Sequence, residues 1–195
     1  MASDGEAMRD QRTAQLLNGI SLLRVVMIVP VMALVLAGPT VNHAYVGAAV
    51  LFTLAAATDF FDGYLARRWR ATTELGGFLD TTADKLLVSG VLIALVAVGR
   101  ASPWAAVVIV GREISVLGLK AIAAASGTVI HPSIWGKLKF AVQFVAIVMA
   151  ILRYPHRVGY LYLDEWAMSL AVVITVLSAV EYFARFSSVL GTGRR

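Results

Sequence analysis

The chain has 195 residues, of which 59% are hydrophobic and only 15% charged, and its mean hydropathy is +0.78. A soluble domain holds roughly 45–50% apolar and about 25% charged residues, so this composition excludes an ordinary soluble globule and predicts an all-α, polytopic membrane protein. The net charge of +5 gathers at the ends of apolar segments, which ties it to topology and an anionic lipid surface rather than to nucleic acid, and the lack of cysteine excludes disulfides and thiolate metal sites.

Residues 1–15 read as a polar cytosolic segment without the basic-then-apolar order of a signal peptide, so the first apolar segment is expected to be retained. Six segments near the ~20 residues that a bilayer requires follow, approximately 16–37, 44–65, 81–98, 104–125, 134–152 and 161–185. They form one six-helix domain, residues 16–190, with a short tail at 191–195. Turn residues separate them at Gly38-Pro39-Thr40, Ala101-Ser102-Pro103 and Tyr154-Pro155-His156. Trp69, Trp104, Trp135 and Trp166 fall near segment ends, where interfacial anchoring is the ordinary reading. His43, His131 and His156 are too dispersed for a metal site.

One side of this arrangement collects Arg67, Arg68, Arg70, Lys120, Lys137 and Lys139, together with Arg9, Arg12, Arg185, Arg194 and Arg195 near the termini. The other side holds Arg100, Arg153 and Arg157. The positive-inside rule then places both termini and the loop 67–76 in the cytosol, in a plasma membrane.

Against this apolar background the stretch from Asp59 to Asp84 carries four aspartates. Each carboxylate in a membrane segment costs several kcal/mol unless it is compensated. Asp59, Asp62, Gly63 and Ala66 share one helical stripe, and Gly76, Asp80 and Asp84 share another on the next segment, because residues three and four apart stack on one face. A short loop makes the two segments antiparallel neighbours, so both stripes are expected to line one cavity near the cytosolic end, with Asp59 roughly 12 Å below Arg67. Carboxylates so crowded raise one another's pKa, and divalent cations resolve the conflict. An all-oxygen ligand set favours Mg²⁺, or Mn²⁺ or Ca²⁺, and Mg²⁺ completes its shell with substrate phosphates. Arg67 stands where it can grip a phosphate. The alternatives are helix–helix hydrogen bonding by the aspartates, close packing by the small residues, or a cation path across the membrane. A path would need polar groups continuing beyond the site, and the flanking segments are apolar.

Written as Asp59-x2-Asp62-Gly63-x2-Ala66-Arg67-x8-Gly76-x3-Asp80-x3-Asp84, this stretch resembles the signature of the CDP-alcohol phosphatidyltransferase family without a gap. The resemblance implies six spans over nearly the whole chain, a homodimer, a two-metal site, CDP-diacylglycerol as donor and CMP as leaving group. It implies metal ligation by Asp59, Asp62 and Asp80, with Asp84 as general base that also touches a metal. Donor binding would fall to Asp62, Gly63, Ala66, Arg67 and Gly76. A carboxylate within reach of the acceptor hydroxyl can take its proton as it attacks phosphorus, and paired metals supply charge neutralisation.

The acceptor rests on other residues. Arg24, Arg112, Lys137 and Lys139 lie in or beside apolar segments, and cations facing an aspartate cavity suit an anionic acceptor. The plainer alternative is that Arg112 pairs with Glu113 as structural glue while the lysines mark topology. Asn18-x-x-Ser21-x-x-Arg24, Gly111-Arg112-Glu113-Ile114 and Gly136-Lys137-Leu138-Lys139-Phe140-x-x-Gln143 are similar to the branch of the family that uses glycerol 3-phosphate. Ser21 and Phe140 replace that branch's usual threonines, Thr81 its common proline, and Lys120 a frequent arginine. Phosphatidylglycerol and inositol phosphate are the rival acceptors; serine, being small and neutral overall, would leave the cations unexplained.

Overall fold

The computed structural model describes residues 19, 22–69, 74–125, 134–153 and 155–192, and leaves the side chains of 59–69, 74–81, 125, 134, 137 and 188–192 undescribed. Among these residues the regular structure is helical apart from one small hairpin, with turns between the elements. The helices are α1 (Leu22–Ala37), α2 (Ala44–Trp69), α3 (Glu74–Ala97), α4 (Pro103–Ala125), α5 (Ile134–Leu152) and α6 (Leu163–Thr192). The hairpin pairs β1 (Arg157–Val158) with β2 (Leu161–Tyr162). The helices stand where the apolar segments were expected, with α2 running on to Trp69 and α3 starting seven residues earlier, so residues 67–69 and 74–76, expected in a loop, are helical. Among the described residues one stretch, Leu163–Ser187, is long and apolar enough to cross a membrane; Leu22–Ala37, Ala44–Thr58 and Leu138–Leu152 are shorter apolar helices.

The chain divides into two compact units, residues 1–94 and 95–195. In the first, Val31 and Val35 on α1, Ala48, Phe52 and Ala55 on α2, and Ala83, Leu87, Val91 and Ala94 on α3 are buried. Their spacing of three, four and seven residues marks one stripe per helix. Gly90 lets α1 come close to α3. A Cβ there would lie 2.9 Å from Ile28 Cγ2 and 3.0 Å from Met32 Sδ. Gly38 ends α1 under the Tyr45 ring, where a Cβ would fall 2.2 Å from ring carbons.

In the second unit α6 packs against both α4 and α5. Gln143, Ala146, Ile147, Ala150 and Ile151 form the buried stripe of α5, and Met168, Ala171, Thr175, Ser178 and Tyr182 that of α6. Ser102 and Pro103 open α4: the Ser102 carbonyl accepts the Ala106 N–H at 3.1 Å, and proline at the first helical position sacrifices no bond. Asp164 and Glu165 occupy the first turn of α6, where carboxylates complement the helix dipole. The Glu165 carboxylate accepts the Tyr162 N–H at 2.9 Å, so a reach-back cap fixes this start.

Arg153 fastens the α5–α6 connection. Its φ of 41° lies in the left-handed region, and its guanidinium donates to Asp164 at 3.2 Å and to the Gly99 carbonyl at 3.4 Å. Arg157 stacks on the Tyr162 ring at 4.6 Å and donates to the Tyr162 hydroxyl at 2.9 Å. That hydrogen bond raises the already high pKa of Arg157, which keeps the hairpin positively charged.

Candidate active site

Asp59, Asp62, Gly63, Ala66 and Arg67 all lie on the C-terminal half of α2, and Gly76, Asp80 and Asp84 on the N-terminal half of α3. Both aspartate segments are therefore helical, as their spacing requires. The side chains of Asp59, Asp62, Gly63, Ala66, Arg67, Gly76 and Asp80 lie outside the described residues, as does that of Lys137 on α5. Asp84 is described and is half-buried. Arg24, on α1 of the same unit, is 1% exposed.

The second unit assembles a polar cluster around Glu113. The Glu113 carboxylate, 5% exposed, accepts from Lys139 Nζ on α5 and, at 3.4 Å, from its neighbour Arg112. Both partners of the Glu113–Lys139 contact are buried, so removing either charge is costly. Arg112 turns its other terminal nitrogen to α6, where Nη2 donates to Ser178 Oγ at 2.7 Å. Its guanidinium also lies 5.4 Å from the centroid of the Tyr182 ring, within cation–π range. Lys120, two turns further along α4, brings Nζ to 5.7 Å from the same ring. Glu181 keeps to its own helix and accepts from Arg185 at 2.5 Å, the one-turn pair expected from sequence.

Among the described residues Arg112 and Lys139 thus share the Glu113 carboxylate, and Lys120 shares the Tyr182 ring with Arg112. Gln143, one turn beyond Lys139, is buried with no partner for either amide atom among the described residues, and Arg112 Nε is likewise unmatched. Buried polar groups are ordinarily satisfied by protein, water or ligand, so these atoms are free to take one of the latter two. A cleft of about 750 Å³ opens beside Arg112, lined on α4 by Val108 and Ser115 and on α6 by Thr175, Ala179 and Phe183.

A family model described as CDP-alcohol phosphatidyltransferase matches residues 15–177. This chain belongs to the CDP-alcohol phosphatidyltransferase family. Its membership makes it a phosphatidyltransferase enzyme. Among curated relatives, a CDP-diacylglycerol–glycerol-3-phosphate 3-phosphatidyltransferase of Bacillus subtilis (strain 168) is 35% identical over 180 residues, covering 86% of this chain and 93% of the relative. A probable phosphatidylglycerophosphate synthase of Mycobacterium tuberculosis (strain ATCC 25618 / H37Rv) is 38% identical over 184 residues, covering 93% and 86%. A CDP-diacylglycerol–glycerol-3-phosphate 3-phosphatidyltransferase of Pseudomonas fluorescens is 37% identical over 172 residues, covering 85% and 86%.

Of the cations singled out from sequence, the fold brings Arg112 and Lys139 together on one carboxylate. The pairing of Arg112 with Glu113 is present, yet it is the longer contact and Lys139 takes the nearer place. Ser178 and Tyr182 were not legible as site residues. A lone serine and tyrosine in an apolar segment look like packing until α6 is laid against α4. The signal available was their four-residue spacing, which puts both on one face.

Proposed function

We propose that this enzyme transfers the phosphatidyl group of CDP-diacylglycerol to glycerol 3-phosphate, giving phosphatidylglycerophosphate and CMP. The observation that carries the acceptor half is the charge balance of the α4–α6 cluster. Among the described side chains of this cluster, Arg112, Lys120 and Lys139 gather around Glu113 and the Tyr182 ring, so cations outnumber the carboxylate. A phosphate monoester carries about two negative charges near neutral pH. Phosphatidylglycerol, a diester, brings one, and serine brings none in net. The unmatched Gln143 amide and Arg112 Nε–H supply neutral donors for the same group. Lys137 and Arg24 join Arg112 and Lys139 as candidate phosphate ligands on charge alone. The names of the Bacillus and Pseudomonas relatives agree with this acceptor.

The donor half rests on the aspartate motif. Asp59, Asp62, Asp80 and Asp84 offer only oxygen donors, at helical spacing and without His or Cys, a set that fits Mg²⁺ or Mn²⁺. Two such cations, when bound, would neutralise the phosphate oxygens of the donor. Asp62, Gly63, Ala66, Arg67 and Gly76 bind the cytidine diphosphate, the small residues leaving room against the backbone. Asp84 accepts the proton of the acceptor hydroxyl as that oxygen attacks the phosphorus that keeps the lipid, and CMP departs. The diacylglycerol tails remain in the bilayer. Six spans, cytosolic termini, a cavity open to the cytosol and a homodimer complete the reading.

An acceptor panel tests it. Purified protein receives CDP-diacylglycerol and Mg²⁺ or Mn²⁺, and CMP release is followed with glycerol 3-phosphate, inositol phosphate, phosphatidylglycerol or serine. Glycerol 3-phosphate should stimulate release most strongly, and chelation should abolish it. Stimulation by another acceptor alone would overturn the acceptor while keeping the donor chemistry. Metal uptake into sealed vesicles without lipid synthesis would overturn the enzyme reading.

A further inference from the structure

We propose that Ser178 and Tyr182 on α6 are positioning residues, which hold the Arg112 guanidinium away from Glu113 so that its charge remains available to the acceptor phosphate. The proposal rests on the reading of Arg112 as a phosphate ligand. Arg112 and Glu113 are consecutive on α4, where side chains diverge, yet the long guanidinium still reaches the carboxylate through one nitrogen. The contact is a single one at 3.4 Å, while Nη2 donates to Ser178 Oγ at 2.7 Å and the guanidinium lies against the Tyr182 ring.

The chemistry of these two partners is what matters. A serine hydroxyl and an aromatic face both attract a guanidinium, and neither carries a charge that would cancel it. Ser178 is wholly buried and Tyr182 nearly so, and their spacing of one turn presents both to α4 as a unit. The Tyr182 ring attracts Lys120 as well, so one neutral side chain holds two like charges that repel each other. Glu113 is left to Lys139, and Arg112 Nε–H stays unmatched among the described residues. Were Ser178 or Tyr182 lost, Arg112 would settle onto Glu113 and the excess charge would shrink. The family match ends at residue 177, so both positions fall just beyond the shared pattern.

Steady-state kinetics on the purified full-length protein, with CDP-diacylglycerol in mixed micelles and glycerol 3-phosphate varied, decide the matter. Ser178→Ala and Tyr182→Leu should each raise KM for glycerol 3-phosphate about 5–10-fold, as loss of one hydrogen bond or one cation–π contact to a charged group allows. KM for CDP-diacylglycerol and kcat at saturating acceptor should hold. Tyr182→Phe keeps the ring face and should keep the wild-type KM. A role confined to packing would lower kcat with both KM values unchanged, and that result overturns the proposal. Arg112→Ala in the same panel separates the two ideas. If it raises KM for glycerol 3-phosphate while Ser178→Ala and Tyr182→Leu do not, the positioning role fails and the reading of Arg112 stands. If Arg112→Ala leaves that KM unchanged, both fail. Should Ser178→Ala not fold, judged by its thermal melt in detergent, the comparison of Tyr182→Leu with Tyr182→Phe decides alone.

Discussion

Glu113→Ala is the sharpest perturbation of the second unit. The substitution removes the carboxylate that Lys139 and Arg112 share, both of them buried side chains. Arg112 keeps Ser178 and Tyr182, so the loss falls mainly on Lys139, whose residue is 6% exposed. Breaking a buried pair by removing one partner costs about 3–5 kcal/mol. At about 2–4 °C per kcal/mol for a chain of this size, the melting temperature should fall by roughly 6–20 °C. The double variant Glu113→Leu/Lys139→Leu removes both charges and fills the space with apolar side chains, so it should recover most of that loss. Thermal melts of the purified proteins in one detergent measure both. A melt for Glu113→Ala within about 2 °C of wild type, or a double variant that loses the sum of the single losses, would refute the argument from buried charge.

Other outcomes follow from the same geometry and from the aspartate motif. Asp84→Asn should abolish turnover and retain binding of CDP-diacylglycerol, measured by direct binding beside CMP release; comparable turnover in mutant and wild type would remove the base assignment. Gly90→Val must displace Ile28 and Met32 and should destabilise the protein by about 1–3 kcal/mol, read as a lowered melting temperature. Glu181→Ala breaks an ion pair whose arginine is largely exposed, and its melt should move by no more than about 0.5 kcal/mol in equivalent stability.

Much of the architecture was legible because its signals are local. Runs of apolar residues bounded by Gly38-Pro39 and Ser102-Pro103 mark helices and breaks without reference to the rest of the chain. The start of α3 at Glu74 was less so: the apolar run begins only near residue 81, although the spacing of Gly76, Asp80 and Asp84 already put them on one helical stripe. The hairpin at 157–162 was missed for a related reason. Two-residue strands leave no period to detect, and this one depends on the positive φ of Gly159 and on Arg157 meeting Tyr162.

The sequence by itself determined the helical class and the family, because apolar runs mark helices and the fixed spacing of the aspartate motif is a local signal. Tertiary structure alone decided which cations share a carboxylate. Glu113 and Lys139 are 26 residues apart, and Arg112 and Ser178 are 66 apart. Pairing over such distances depends on how α4, α5 and α6 pack, and no local period records it. That packing turns Arg112 from a residue beside a glutamate into a guanidinium also held by the Ser178 hydroxyl and the Tyr182 ring.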